Sequence, residues 1–125
     1  MNVLLLDDNT ELCNFLVANL HENVIDSKGV NNITDALTLL RNEKFDALIV
    51  DIQLGDEDGF DFIQKVRENR SGKSIPVMLT SEYDTTLARR MAADYACNAF
   101  LSKPFTTTQL VDALRGLSTG TTLGH

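Results

Sequence analysis

Positive charge is scarce in this chain. Eleven Lys and Arg stand against 18 Asp and Glu in 125 residues, giving a formal net charge of -7 and a pI of about 4.6. Binding nucleic acid through its phosphates needs clustered Lys and Arg, so the charge balance argues against direct nucleic acid binding by this domain. Long apolar runs are also missing: none approaches the roughly 20 residues that span a bilayer, and no membrane segment is expected. Met1 leads at once into Asn2–Leu6 with no basic stretch before it. No secretory signal is visible, and cytoplasmic placement is the expectation. The 2 cysteines, Cys13 and Cys97, lack metal-type spacing and read as reduced packing residues. Repeats and low-complexity segments are absent. What remains is ordinary for a globular chain, with 43% hydrophobic and 23% charged residues. One domain of this length buries roughly two thirds of its unfolded surface, so no disulfide or metal staple is required.

The most informative stretch is Phe45-Asp46-Ala47-Leu48-Ile49-Val50-Asp51, an apolar, branched run that stops on a carboxylate. Its length and composition predict a strand buried on both faces, central in a parallel sheet. In such sheets ligands sit beyond the carboxyl ends of the strands, which places Asp51 at a crevice.

The same pattern recurs along the chain. Asn2–Leu6 is a strand ending on Asp7-Asp8, and Asp8, Asn9 or Thr10 can cap a helix carrying Leu12, Phe15, Leu16, Val17 and Leu20. Asn23 to Val30 mixes apolar and polar residues, as an edge strand would. Asn32 or Thr34 opens a second helix through Ile33, Ala36, Leu37 and Leu40. Ile52 to Gly59 reads as a loop, followed by a helix packing Phe60, Phe62, Ile63 and Val66, and Asn69 to Ser74 as a polar loop. A fourth strand starts near Ile75 and ends on Thr80-Ser81. Asp84 or Thr85 opens a helix with Leu87, Ala88, Met91 and Ala92. Ala96 to Leu101 makes a fifth strand before Ser102-Lys103-Pro104, and a last helix from near Thr106 uses Leu110, Val111, Leu114 and Leu117. Five strand–helix alternations imply an α/β doubly wound parallel sheet with right-handed crossovers. The domain covers residues 1–117. Residues 118–125 form a polar tail, either the start of a linker or an expression remnant.

Four strand tips therefore deliver functional groups: Asp7 and Asp8, Asp51, Thr80, and Lys103. In the strand order 2-1-3-4-5 the first and third strands are neighbours, so three carboxylates converge at the switch point. Either some are protonated or a cation holds them together. Mg2+ suits such oxygens, with a backbone carbonyl near Gln53 as a further ligand and room left for a phosphate oxygen. Asp51 can serve as a nucleophile toward phosphorus. Mg2+, the Lys103 ammonium and the Thr80 hydroxyl can then share the charge of the transferring group.

This pattern resembles the receiver domains of two-component response regulators: Asp7-Asp8, Asp51 after an apolar strand, Thr80 after another, then Lys103-Pro104-Phe105. The resemblance runs from about residue 2 to residue 117. It implies a flavodoxin-like (βα)5 fold and a Mg2+ site at Asp7, Asp8, Asp51 and the Gln53 carbonyl. It implies Asp51 as phosphoacceptor from a sensor histidine kinase or histidine phosphotransfer protein. Thr80 and Lys103 would sense the phosphoryl group, Phe100 would be the switch aromatic, and the Lys103–Pro104 bond would be cis. Gln53 and Glu82, each two places beyond a key residue, would flank the hydrolytic water. The face of the fourth helix, fifth strand and fifth helix could meet an output partner or form a homodimer. Gly55 stands where Pro is usual, and Phe100 where Tyr is frequent, so its two states must differ by packing alone.

Two rivals share this topology. A flavin or nucleotide module is disfavoured because the turn Asp7 to Glu11 is acidic and lacks glycine. A phosphatase with an aspartyl nucleophile needs a second acid two residues on, where Gln53 stands. The expectation is a regulatory phosphoacceptor that catalyses only its own phosphorylation and dephosphorylation.

Overall fold

Each apolar run that closes on a polar tip becomes a parallel strand in the computed structural model, which describes residues 1–118. The strands β1 (Asn2–Leu6), β2 (Asp26–Val30), β3 (Ala47–Asp51), β4 (Val77–Ser81) and β5 (Ala99–Ser102) form one sheet. All pairings are parallel and the order is 2-1-3-4-5, as the alternation predicts. β3 is central and wholly buried, whereas β2 lies at an edge and is largely exposed, which accounts for its mixed composition.

Five helices cover the sheet: α1 (Thr10–Glu22), α2 (Ile33–Asn42), α3 (Gly59–Glu68), α4 (Thr86–Asp94) and α5 (Thr107–Ser118). Successive strand residues point to opposite faces. Val3, Leu5, Ile49 and Met78 therefore pack with α1 and α5, while Leu4, Leu6, Leu48, Val50 and Leu79 pack with the other three. Among the described residues no helix is long and apolar enough to cross a membrane. The polar tail read over residues 118–125 lies, beyond Ser118, outside the described residues.

Several local expectations are corrected. Phe15 and Leu87 are 60% and 64% exposed, because each sits at the margin of its helix's apolar stripe. β2 begins only at Asp26: Val24 takes φ +62° and the amides of Val24 and Ile25 turn back onto His21 and Leu20, closing α1. Ala96 likewise has φ +57° and belongs to a turn after α4, so β5 starts at Ala99. The Ile52–Gly59 loop contains a two-residue antiparallel ladder that pairs Gln53 with Asp58 and Leu54 with Glu57. The loop after α3 contains a 3-10 turn, Arg70–Gly72.

Candidate functional site

Register brings the polar tips together. Leu6 lies beside Val50, so Asp7 and Asp51 end adjacent strands at the same level. Asp51 pairs with Thr80, and Ser81 with Ser102, which sets Lys103 just beyond β5. Asp7 is 2% exposed and held on all sides. Its amide donates to the Val30 carbonyl at 3.1 Å, and its carbonyl accepts from Asn31 Nδ2 at 2.9 Å and from the Cys13 thiol at 3.4 Å. Its Oδ1 accepts from the Asn9 amide at 2.9 Å. Asn9 in turn caps α1, its side chain accepting from the Leu12 amide at 3.0 Å, so the turn that orients Asp7 also starts the helix. Asp8, next along, is exposed to the cleft.

Asp51 is 6% exposed, and its Oδ1 accepts from the Gln53 amide at 3.0 Å. The loop that follows folds tightly back. Gly55 takes φ +66°, where a side chain would be strained. Gly59 lies so close to β3 that an added Cβ would fall 2.2 Å from the Asp51 carbonyl oxygen, and only glycine fits there. Two acids of the run Asp56-Glu57-Asp58, whose sequence reads as solvated and helix-starting, also hold the loop. Asp58 caps α3 by accepting from the Phe60 amide at 2.9 Å, and Glu57 accepts from the Ile33 amide at the start of α2 at 3.2 Å.

One cation serves two buried acids. Lys103 Nζ lies 2.6 Å from Asp51 Oδ2 and 2.8 Å from Asp7 Oδ2. Burial would lower the Lys103 pKa, but hydrogen bonds to Asp51 and Asp7 outweigh it and raise the value. For Asp51, burial, assisted by the Asp7 charge, raises the carboxyl above its ordinary range despite the bonds from Lys103 and the Gln53 amide. The site thus holds more negative charge than its one ammonium balances. Asp7, Asp8 and Asp51 each bring an oxygen within 4.8 Å of the others. A hard cation that takes one or two carboxylates and keeps its waters fits this donor set, and the cleft of about 770 Å³ in front of it leaves room.

Thr80 is buried beside Asp51, and Gln53 and Glu82 are exposed at the cleft rim. Ser81 Oγ donates to the Tyr83 carbonyl at 3.0 Å and accepts from its amide at 2.9 Å, fixing the loop after β4. Phe100, half-buried on β5, pairs with Leu79 one residue before Thr80 and lies apart from the acids. The Lys103–Pro104 bond is cis. Burial pushes the Cys13 thiol up to about 11 and Cys97 to about 12, and both are free cysteines that pack. No spacing in the sequence signals two further contacts, Asn31 on the Asp7 carbonyl and, away from the acids, Arg89 over the Phe100 ring.

A family model described as the response regulator receiver domain matches residues 3–115. The transcriptional regulatory protein TrcR of Mycobacterium tuberculosis is 30% identical over 94% of this chain, which covers 45% of TrcR. The response regulator Rre1 of Synechocystis sp. is 35% identical over 69% of this chain and 37% of its own length. The chain thus spans about half or less of these curated relatives. Among solved structures, the CheY-like receiver domain protein of Methanospirillum hungatei JF-1 superposes with a TM-score of 0.87 at 18% identity, covering 95% of this chain and 94% of that one. Chemotaxis protein CheY4 of Vibrio cholerae gives 0.87 at 21% identity, covering 91% and 95%. At these identities the superpositions speak for the fold.

Proposed function

Because the chain belongs to the response regulator receiver domain family, whose members are regulatory signalling modules of two-component systems, we propose that it is a phosphorylation-controlled switch with Asp51 as phosphoacceptor. The observation that carries this reading is the convergence of three acids from two neighbouring strand tips within 4.8 Å, with Lys103 2.6 Å from Asp51. The donor is a sensor histidine kinase or a histidine phosphotransfer protein. An Asp51 carboxylate oxygen bonds to phosphorus, the N–P bond of the phosphohistidine breaks, and the imidazole leaves with the electron pair.

Asp7, Asp8, Asp51 and the Gln53 carbonyl would hold Mg2+, which when bound neutralises charge on a transferring oxygen. Lys103 moves from its two carboxylates to a second oxygen, as a mobile ammonium can. The Thr80 hydroxyl bonds another, and its movement frees space that Phe100 enters. That changes the face of α4, β5 and α5, where an output partner or second copy docks. A hundredfold change in the ratio of two states requires about 2.7 kcal/mol, within reach of one or two charge-assisted hydrogen bonds. Gln53 and Glu82 at the rim orient hydrolytic water and shorten the life of the phosphoryl group.

Incubation with acetyl phosphate and Mg2+, followed by intact-mass measurement, should show one phosphoryl group on the wild type and none on Asp51→Ala. An adduct surviving that substitution, or none on the wild type together with no response to beryllofluoride, defeats the proposal. Substituting Gln53 and Glu82 should slow or speed dephosphorylation; an unchanged rate removes them from the mechanism.

A further inference from the structure

The two ends of α4 are held by different chemistry. Beyond its C-terminal end, the half-buried Arg67 guanidinium donates to the carbonyls of Tyr95 at 3.3 Å and Ala96 at 2.9 Å. The same group donates to Gly72 at 2.9 Å and Ile75 at 2.7 Å, so it ties this end to α3 and to the chain entering β4. The Tyr95 ring adds a stack on Phe60, centroids 5.2 Å apart. At the N-terminal end the contacts are exposed and polar. Arg89 reaches back to Asp84 through two bonds, Nε to Oδ1 at 2.6 Å and Nη2 to Oδ2 at 2.9 Å. Its guanidinium also lies 4.7 Å above the centre of the Phe100 ring. Between the two ends α4 buries only Ala92.

These contacts occur together with the engagement of Lys103 by Asp51 and Asp7. Resting on the switch reading, we propose that Asp84, Arg89 and Phe100 form a latch that favours the unphosphorylated arrangement, with Arg67 fixing the hinge about which α4 turns. Phe100 has no hydroxyl, so whatever covers its ring decides where it rests. Rotation of the ring parts it from Arg89, and movement of the loop after Thr80 parts Asp84 from Arg89. Both contacts are lost on switching, so both oppose it.

The test titrates the chain with beryllofluoride and Mg2+, which mimic the phosphoryl group on Asp51. Arg89→Ala removes both contacts and should tighten the apparent affinity about three- to tenfold, the size expected of a partly exposed cation–π contact plus an exposed ion pair. Asp84→Asn, which leaves the ring contact, should tighten it less, and the double variant should match Arg89→Ala. Phe100 ring signals in unliganded Arg89→Ala should move toward their beryllofluoride-bound positions. Unchanged or weaker affinity in a variant that melts like the wild type overturns the latch and leaves the phosphoacceptor reading standing. No binding by the wild type overturns both.

Discussion

α5 and α4 flank opposite faces of the same sheet and are built to different ends. α5 sends Leu110, Val111, Ala113, Leu114 and Leu117 into the core, whereas α4 fully buries only Ala92, adds the partly buried Met91 and leaves Leu87 exposed. One helix is fastened by apolar area, the other by a guanidinium on backbone carbonyls at one end and an exposed ion pair at the other. Elements with few buried apolar contacts open most easily, and moving parts are drawn from them. The strand ends repeat the contrast on a smaller scale: apolar and continuous through β1 and β3, crowded with acids at their tips.

Truncating each helix should expose the difference most strongly. Leu114→Ala should cost about 2–5 kcal/mol in denaturant unfolding, as buried leucines do, and Leu87→Ala less than about 0.5 kcal/mol. Comparable losses would erase the distinction. At the tips, Lys103→Ala leaves Asp7 and Asp51 buried without their cation and should cost roughly 3 kcal/mol in the absence of divalent ions.

Asp51→Asn should do the opposite and raise the melting temperature. Because the folded Asp51 pKa lies above its unfolded value, the wild type loses stability as pH rises between the two and carries the full penalty above both. The advantage of Asn is therefore present at pH 7, shrinks as pH falls toward the unfolded carboxyl pKa, and is gone below about 4. An Asn variant less stable than wild type at neutral pH would place the strain elsewhere. The smallest effect concerns Val24, 90% exposed at φ +62°: Val24→Gly should gain about 1 kcal/mol by relieving a left-handed β-branched residue far from the site.

The strands and the acids at their tips were legible because a buried parallel strand must be apolar throughout and can turn polar only where it meets the crevice. Asp7, Asp51 and Lys103 could be brought together on paper once the strand order was assumed. Illegible features depend on geometry that leaves no period. The Gln53–Asp58 ladder is too short to show alternation, and the stripe rule does not tell that Phe15 falls outside the buried face. Arg67 takes only backbone carbonyls, which every residue supplies, so its clamp has no sequence signature. That Lys103 bridges Asp7 as well as Asp51 needed coordinates to see.

In the proposed switch, acids on two strand tips share one divalent cation. A residue-resolved NMR titration with Mg2+ alone tests it most directly. Shifts centred on Asp7, Asp8, Asp51 and Gln53, saturating together and lost in Asp8→Asn, are expected. Shifts scattered over exposed acids such as Glu11, Asp56 and Asp94, and unaltered by that substitution, would contradict it.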